Sequence, residues 1–449
     1  MKQVDLIIIG AGPGGYEAAV EAARGGMSVA VIEERRPGGT CLNEGCIPTK
    51  CLCRSAEVLE EVRSAGLFGI RCGGPELDFP AVMARKDEVV ARLVAGVETL
   101  MQTPGITYVQ GRARFLTPHS VSVEGCGEQF EAPNVMIATG SVAKALPIEG
   151  ADLPGVVSSR ELLSLTELPK RLCVIGGGVI GLEMAGVFQT FGSSVTVIEF
   201  CREVLPGFDR DIAKRLRTSL KKRGIQFHTQ AAATGIYEAG EGTLRVAFDE
   251  KGKAGECLAD CVLMAVGRAA NLASLNLDEA GIACTPKGIT VDADMQTSVP
   301  GVYAVGDVNG LCQLAHAATF QSFHALHHMR GERDDLRLDL VPAAVFTVPE
   351  VAMVGRTEES CAEAVPGYRV LKSFYRANGK ALAMNADEGL VKLICDAEER
   401  IVGAHILGAH ASDLIHEVAA LMNLGATVGQ LRATVHAHPT LSELFLHLA

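Results

Sequence analysis

The sequence has 449 residues, and at about 150 residues per domain this length predicts about three domains. Its content of 48% apolar and 21% charged residues excludes a disordered or low-complexity chain. The 41 Lys and Arg against 53 Asp and Glu give a net charge of −12, which argues against nucleic acid or an anionic membrane as a partner. No apolar run approaches the ~18 residues that a membrane span requires.

The cysteine content bears on the compartment. Fourteen cysteines are too few for a disulfide framework in a chain of this size, and the apolar run at residues 4–9 is too short for a signal peptide. We therefore expect a cytoplasmic protein whose thiols are mostly reduced. No set of His and Cys residues has zinc spacing, so no metal site is predicted.

The first predicted elements form a strand, a glycine turn, a helix, a second strand and an acid. The turn carries Gly10, Gly12 and Gly15, and Glu33 follows the second strand. Such glycines permit a tight turn, close approach to a pyrophosphate and close helix–strand packing, while the acid accepts hydrogen bonds from a ribose. The pattern predicts a dinucleotide site. The alternative is a glycine turn in another α/β fold.

A cysteine pair follows this unit directly. Cys41 and Cys46 are five residues apart, which on a regular helix places them roughly 140° apart around the axis. A disulfide therefore requires a distorted turn, for which Gly45 and Pro48 are suited. Cys46 would begin a helix, where the helix dipole favours its thiolate. Such a pair beside a flavin can exchange two electrons; two buried structural cysteines are the alternative.

The same order of elements occurs a second time. The turn carries Gly176, Gly178 and Gly181, and Glu199 follows its first glycine by 23 positions, as Glu33 follows Gly10. A second dinucleotide is therefore predicted. Glu199 favours NAD because its charge disfavours the 2′-phosphate of NADP, although Arg202 lies nearby in the sequence.

Three further apolar strands end in glycine-containing turns. They stop at Thr139-Gly140, at Gly267 and at Gly306-Asp307. Buried parallel strands of this kind present their carboxyl ends to a ligand crevice. Asp307 is thus a candidate to hold a ribityl or ribose hydroxyl, or simply a turn former.

From about residue 336 the pattern becomes antiparallel. A hairpin is predicted over 389–407, and a helix over 412–424 with Leu414, Val418 and Leu421 on its apolar stripe. This part has no phosphate loop, and its apolar face suits subunit contact.

Near the C-terminus, His438 could move protons with Glu443 as its orienting carboxylate. Glu443 also completes a capping box with Thr440 for a last helix over 441–448, and cap or partner remain equal alternatives. His436 is as good a candidate as His438 on these grounds.

The segment 38–50, GGTCLNEGCIPTK, resembles the redox motif of the pyridine nucleotide–disulfide oxidoreductases. The resemblance covers essentially the whole chain, including both glycine turns and the segments ATG at 138–140, YAVGD at 303–307, FTVPEVAMVG at 346–355 and HAHPTLSE at 436–443. Within the family it is greatest to members that oxidise dihydrolipoamide. Glu44 departs from the pattern, since an apolar residue is usual between the cysteines.

This resemblance implies an α/β fold with two Rossmann-like three-layer domains and an α+β dimerisation domain. An FAD-binding domain would span 1–148, completed by 266–330, followed by an NAD-binding domain over 149–265 and an interface domain over 331–449. The first site would bind FAD through Gly10, Gly12, Gly15, Glu33, Lys50, Thr139, Gly140 and Asp307. The second would bind NAD through Gly176, Gly178, Gly181, Glu199 and Gly267.

The resemblance also implies roles for individual residues. Cys41 would react with substrate sulfur and Cys46 would face the flavin, while Lys50 and Glu183 would pair near the reactive flavin edge. In a homodimer, His438, held by Glu443, would serve the other subunit's active site.

The implied activity is oxidation of dihydrolipoyl groups, free or on the lipoyl domain of a 2-oxoacid dehydrogenase or glycine cleavage complex, with reduction of NAD. Three alternatives stay open: a reductase of glutathione-like disulfides using NADPH, a mercuric reductase (less expected because no paired cysteines end the chain), and a non-catalytic flavoprotein redox sensor.

Overall fold

The computed structural model describes residues 1–449. Residues 1–144 contain β1 (Lys2–Gln3), β2 (Leu6–Ile9), α1 (Pro13–Arg24), β3 (Val29–Glu33), α2 (Gly39–Glu44), α3 (Cys46–Ser64), α4 (Phe79–Leu100), β4 (Ile106–Gln110), β5 (Arg112–Thr117), β6 (Ser120–Glu124), β7 (Gln129–Glu131), β8 (Asn134–Ile137) and β9 (Ser141–Ala143). Residues 145–266 contain β10 (Val156–Val157), α5 (Ser159–Leu162), β11 (Arg171–Ile175), α6 (Val179–Phe191), β12 (Ser194–Glu199), α7 (Arg210–Lys222), β13 (Gln226–Thr229), β14 (Ala231–Glu238), β15 (Leu244–Glu250), β16 (Lys253–Ala259) and β17 (Cys261–Met264).

Residues 267–338 contain β18 (Arg268–Ala270), β19 (Cys284–Thr285), β20 (Gly288–Ile289), β21 (Val302–Ala304) and α8 (Ala315–Met329). Residues 339–449 contain β22 (Ala343–Val345), β23 (Val351–Gly355), α9 (Glu358–Ala364), β24 (Arg369–Phe374), α10 (Gly379–Ala383), β25 (Leu390–Cys395), β26 (Ile401–Leu407), α11 (Ala411–Asn423) and α12 (Val428–Ala433). Short 3₁₀ helices occupy Ala65–Phe68, Gly306–Asn309, Tyr375–Ala377 and Leu441–Phe445.

The chain forms two compact units, each built from separated segments. The first comprises 1–52, 80–144 and 267–338, and the second comprises 53–79, 145–266 and 339–449. The predicted boundaries of the FAD-binding, NAD-binding and interface domains stay predictions.

The first unit is organised around a parallel sheet of order β21-β8-β2-β3-β4. Its central strand β2 is apolar throughout and buried along its whole length, as expected for a parallel strand covered on both faces. A second sheet, β1-β7-β6-β5, shares an apolar core with one face of the parallel sheet, while α1 and α8 pack on the other face. The result is the layered α/β arrangement that the family resemblance implies.

The second unit contains a second parallel sheet, of order β10-β17-β11-β12-β13. The antiparallel sheet β14-β15-β16 packs against it, and apolar side chains from both sheets fill the space between them. Helix α6, which follows the second glycine turn, contacts β11 and β12.

Residues 339–449 form the antiparallel sheet β22-β23-β26-β25-β24 with α11 packed on it. The predicted hairpin is present as β25 and β26. The predicted stripe of α11 was wrong in part, because Ile415, Val418 and Met422 face the core while Leu414 and Leu421 are only partly buried. Both sets have helical spacing, so the sequence alone does not determine which set faces the sheet.

The last predicted helix is shorter than expected. A 3₁₀ helix over Leu441–Phe445 replaces the helix predicted over 441–448. The chain end joins β24 instead, with Lys372 and Ala449 exchanging two backbone hydrogen bonds of 2.9 and 3.1 Å. Every helix of the structure is too short or too polar to span a bilayer.

Candidate active site

The first glycine turn leaves no room for side chains at two of its positions. Gly10 has a φ of +102°, and a Cβ there would lie 2.4 Å from the Ala138 carbonyl oxygen. A Cβ on Gly15 would lie 1.9 Å from the Gly10 oxygen. At Gly12, immediately before α1, a Cβ would meet only the Gly39 Cα at 3.7 Å. The turn therefore packs tightly on the strand side and stays open at the helix N-terminus, where a pyrophosphate fits.

The acid after β3 is fixed beside this turn. Glu33 accepts hydrogen bonds from the backbone N–H of Ala11 at 2.7 Å and of Arg35 at 2.8 Å. Its carboxylate is thereby held next to the glycine turn, with lone pairs left for a ribose hydroxyl. The residues of this site thus fit the adenosine diphosphate part of FAD.

The cysteine segment rests on the same turn. Gly38 donates a backbone hydrogen bond of 2.7 Å to the Ala11 oxygen. A Cβ on Gly39 would lie 2.6 Å from the Gly12 Cα, so only glycine allows the two segments to touch. The redox motif is therefore attached directly to the dinucleotide turn within the first unit.

Cys41 and Cys46 are joined by a disulfide, with their Cα atoms 4.6 Å apart. The helix is interrupted between them: α2 ends at Glu44, Gly45 has φ −141° and ψ −104°, and α3 begins at Cys46. The predicted distorted turn at Gly45 is confirmed. The pair is half-buried.

A charged network that the sequence analysis missed surrounds this segment. Arg268 donates hydrogen bonds to the Ser141 hydroxyl and carbonyl, both at 2.7 Å, and a longer one of 3.4 Å to Thr40 beside Cys41. Ser141 in turn donates to Asp307 at 2.5 Å. Burial lowers the pKa of Arg268, while the charges of Asp307 and Glu44 oppose that shift.

Glu44, the residue that departs from the family pattern, is ion-paired with Arg35. Arg35 lies two residues after Glu33, so this pair connects the loop after β3 to the helix that carries Cys41.

The other residues predicted at the FAD site lie around the same edge of the sheet. Thr139 donates a hydrogen bond of 2.8 Å to the Asn271 oxygen, and Gly140 accepts one of 2.9 Å from the Asn271 N–H. Asp307 follows β21 at the start of a 3₁₀ helix, where its carboxylate is fixed by Ser141. Their contacts with FAD stay predictions.

The second glycine turn repeats the design of the first. A Cβ on Gly176 would lie 2.3 Å from the Ala265 oxygen, and one on Gly181 would lie 2.0 Å from the Gly176 oxygen. At Gly178, before α6, a Cβ would meet nothing within 4 Å. Glu199 is 5% exposed and accepts from the N–H groups of Gly177 at 2.5 Å and Cys201 at 2.6 Å. These residues fit NAD.

Gly267 follows β17 with a φ of +103°, and its carbonyl accepts a hydrogen bond of 3.0 Å from the Lys144 N–H. Its predicted contact with NAD is not tested by this geometry.

Lys50 and Glu183 lie on two different helices, the one that begins at Cys46 and the one that follows the second glycine turn. Lys50 lies on α3, one turn beyond Cys46. Glu183 lies on α6, is 4% exposed and accepts a hydrogen bond of 2.9 Å from the Phe346 N–H. Their predicted pairing stays a prediction.

The structure separates the two C-terminal histidines. The His436 side chain is 6% exposed and holds both ring nitrogens in hydrogen bonds, to the Thr434 oxygen at 2.9 Å and to Glu417 at 2.6 Å. The His438 side chain is 80% exposed and bonds through Nδ1 to Glu443 at 3.0 Å. Of these two histidines, only His438 is therefore placed to act on another molecule.

Glu443 does both things that the sequence analysis treated as alternatives. One carboxylate oxygen bonds to His438, and the other accepts from the Thr440 N–H at 2.8 Å in a capping box. The backbone hydrogen bond, followed by the bond and charge of His438, lowers the pKa of Glu443.

The comparisons with known proteins agree with this geometry. The family described as pyridine nucleotide-disulphide oxidoreductase matches residues 4–322, and its dimerisation domain matches residues 341–449. The chain belongs to the pyridine nucleotide–disulfide oxidoreductase family. The resemblance inferred from the sequence, the fold class and the expectation of FAD and NAD as cofactors are thereby confirmed.

Individual relatives cover nearly the whole chain. The dihydrolipoyl dehydrogenase of Chlamydia muridarum is 39% identical, covering 99% of this chain and 96% of the relative. The mitochondrial dihydrolipoyl dehydrogenase of Pisum sativum is 40% identical, covering 98% and 89%. The Cu(II) complex of the HOCl-induced flavoprotein disulfide reductase RclA from Escherichia coli is similar in structure, with a TM-score of 0.88 and 32% identity over 99% of this chain and 98% of that one.

Proposed function

We propose that this protein is an FAD-dependent dihydrolipoamide dehydrogenase, which oxidises dihydrolipoyl groups to the lipoyl disulfide and reduces NAD. The observation that carries the proposal is the contact between the redox segment and the first dinucleotide turn, where Gly39 lies against Gly12 and the Cys41–Cys46 disulfide follows. The similarity to dihydrolipoyl dehydrogenases at 39–40% identity over almost the full chain supports this choice of substrate.

The cysteines carry the thiol chemistry. A substrate thiolate attacks Sγ of Cys41, the Cys41–Cys46 bond breaks, and Cys46 leaves as a thiolate. The second substrate sulfur then attacks the first, which closes the lipoyl ring and releases Cys41 as a thiolate. The substrate is thereby oxidised by two electrons and the disulfide is reduced by two. FAD, when bound, supplies the chemistry that carries these electrons from the dithiol to NAD as a hydride.

His438 is proposed to take the proton of the substrate thiol, with Glu443 as its positioning residue. The exposed ring and its bond to Glu443 support this role, because a base that serves another chain must project from its own subunit. The match to the family's dimerisation domain supports a homodimer in which His438 reaches the redox cysteines of the other subunit. We further propose that Lys50 and Glu183 pair near the flavin.

NAD is the proposed nicotinamide substrate rather than NADP. The buried carboxylate of Glu199, held by two backbone N–H groups, favours ribose hydroxyls over a 2′-phosphate by charge. The twelve cysteines outside the Cys41–Cys46 bridge form no disulfide, which supports work in a reducing compartment such as the cytoplasm. The substrate would be free dihydrolipoamide or the lipoyl domain of a 2-oxoacid dehydrogenase or glycine cleavage complex.

A second candidate is a reductase of another disulfide, driven by a reduced nicotinamide. The similarity to the flavoprotein disulfide reductase RclA, at a TM-score of 0.88, supports it. The two candidates differ in the physiological electron donor. It is the dithiol substrate in the first candidate and the reduced nicotinamide in the second.

Steady-state kinetics of the FAD-loaded protein test the proposal. We expect NADH formation from dihydrolipoamide, a loss on the order of 10³-fold or more in Cys41→Ser, and a loss of about 10²- to 10⁴-fold in His438→Ala. His416→Ala, an exposed histidine on α11, is the matched control and should retain wild-type turnover. Bound FAD, measured by its absorbance, should be unchanged in all three variants. Wild-type protein that retains FAD, forms no NADH from dihydrolipoamide and oxidises NADH or NADPH with another disulfide would favour the second candidate.

A further inference from the structure

A second pair of sulfur atoms lies in contact, far from the redox motif in sequence. Sγ of Cys173 and Sγ of Cys257 are 3.6 Å apart although 84 residues separate them along the chain. Cys173 lies in β11 and is 1% exposed, while Cys257 lies in β16 and is half-buried. Both belong to the second unit.

The two sulfurs meet between two sheets. Strand β11 is central in the parallel sheet, and the side chain of Cys173 shares an apolar cluster with Ile175 on the same face. Strand β16 is at the edge of the three-stranded antiparallel sheet, and Cys257 packs against the same cluster. A bond between these sulfurs would connect the two sheets three residues before Gly176, the first glycine of the second turn.

We propose that Cys173 and Cys257 are a second redox-active pair, which hydroperoxides convert to a disulfide independently of Cys41 and Cys46. The Cys257 thiolate attacks the peroxide oxygen, forms a sulfenic acid and releases hydroxide or alkoxide. The Cys173 sulfur then attacks the Cys257 sulfur, the S–O bond breaks, and water leaves. Two thiols and one hydrogen peroxide thus give one disulfide and two waters. The sulfurs must close from 3.6 Å to about 2.05 Å, the length of a disulfide bond.

The environments of the two thiols set the order of these steps. The hydrogen bond with Cys257, followed by burial, raises the pKa of Cys173. The same hydrogen bond lowers the pKa of Cys257, against the effect of burial. Cys257 is also the more exposed of the two, so it is the thiol that an oxidant reaches first and the one with more thiolate.

A neighbouring cysteine serves as an internal comparison. Cys261 begins β17 and is 4% exposed. Burial, with a contribution from the charge of Asp260, raises its pKa to about 11. It should therefore stay a thiol under conditions that oxidise Cys257.

The test is peptide mapping by mass spectrometry of the FAD-loaded protein, treated with hydrogen peroxide under native conditions and then denatured and alkylated, because Cys173 is buried in the folded protein. We expect a peptide linked through Cys173 and Cys257, a loss of two alkylatable thiols at these positions, and reversal by dithiothreitol. Cys257→Ser should leave Cys173 alkylatable, whereas Cys284→Ser, which removes an exposed cysteine, should leave the link unchanged.

Two results would overturn the proposal. One is oxidation of Cys257 to a sulfinic acid with Cys173 still alkylatable. The other is full alkylation of both residues at a peroxide dose that has already oxidised the exposed cysteines Cys72, Cys126 and Cys284. Because the wild-type protein alone gives these answers, poor folding of a variant does not affect the outcome.

Discussion

Lys392 is a buried cation whose removal should destabilise the protein. Its Nζ lies 2.8 and 2.7 Å from the two carboxylate oxygens of Asp209 and 2.5 Å from Glu358. The side chains of Lys392 and Asp209 are 1% and 0% exposed. Burial opposes both charges, but the hydrogen bonds between them prevail, so the pKa of Lys392 is raised and that of Asp209 is lowered. Lys392→Met keeps the apolar stem and leaves Asp209 buried without its cation.

Removing one partner of a buried ion pair costs about 3–5 kcal/mol in the free energy of unfolding. The chain offers a matched control, because Lys372 lies directly opposite Lys392 on β24 and pairs with Asp211 at 2.8 Å. The side chains of that pair are 33% and 28% exposed. Solvent screens them, so Lys372→Met should cost less than about 1 kcal/mol.

The penalty should also depend on pH. Because the folded pKa of Asp209 is lowered, its contribution to wild-type stability is present above the unfolded pKa of about 3.9 and is lost as the pH falls through the folded value. In Lys392→Met the cation is gone while the burial remains, so we expect the pKa of Asp209 to lie above its wild-type value and protonation to relieve the unpaired charge at a higher pH. The difference between wild type and variant should therefore be largest near neutral pH and narrow on acidification.

Urea-induced unfolding of the FAD-loaded protein, followed by circular dichroism at neutral pH and at about pH 5, measures both effects. Equal losses of stability in Lys392→Met and Lys372→Met, or a loss in Lys392→Met that is the same at both pH values, would refute the reasoning.

Three further predictions concern the site. Glu443→Gln keeps an amide oxygen for the cap but loses the charge that orients His438. The kcat with dihydrolipoamide should therefore fall at least about 10-fold, the acid limb of its pH profile should shift, and the melting temperature should stay almost unchanged. Thr440→Ala should instead lower the melting temperature and leave kcat almost unchanged. Glu199→Ala should raise the ratio of kcat/KM for NADP to that for NAD by about 10-fold or more, and an unchanged ratio would contradict the role assigned to the charge. A Cβ at Gly178 would meet nothing within 4 Å, so the Gly178→Ala protein should fold and hold FAD but bind NADH more weakly, as measured by fluorescence titration. A Cβ at Gly181 would lie 2.0 Å from a carbonyl oxygen, so Gly181→Ala should reduce the yield of folded protein.

The features that the sequence predicted well are those determined by neighbours along the chain. Each glycine turn is specified within a few residues, because a positive φ at Gly10 and the close contact at Gly15 can be met only by glycine. The interruption at Gly45 follows in the same way, since two cysteines five residues apart cannot bridge on a regular helix. The two functions of Glu443 were both visible in its spacing, although the sequence could not show that one carboxylate performs both.

The features that sequence reasoning missed depend on pairs that meet only through the sheets. Arg268 reaches Ser141, 127 positions away, because β18 pairs with β9. Lys392 meets Asp209 across 183 positions. Strand β25 is apolar apart from Lys392, whereas β24 also carries Arg369 and Ser373, but the sequence does not show which carboxylate meets either lysine. Directly paired residues of neighbouring strands lie on the same face of a sheet, so Lys372 and Lys392 share one face. The difference in their burial therefore comes from what packs over each side chain. A pattern of residue types therefore locates a cofactor loop well and a buried charge poorly, because the loop is a local solution to backbone geometry and the buried charge is a consequence of tertiary packing.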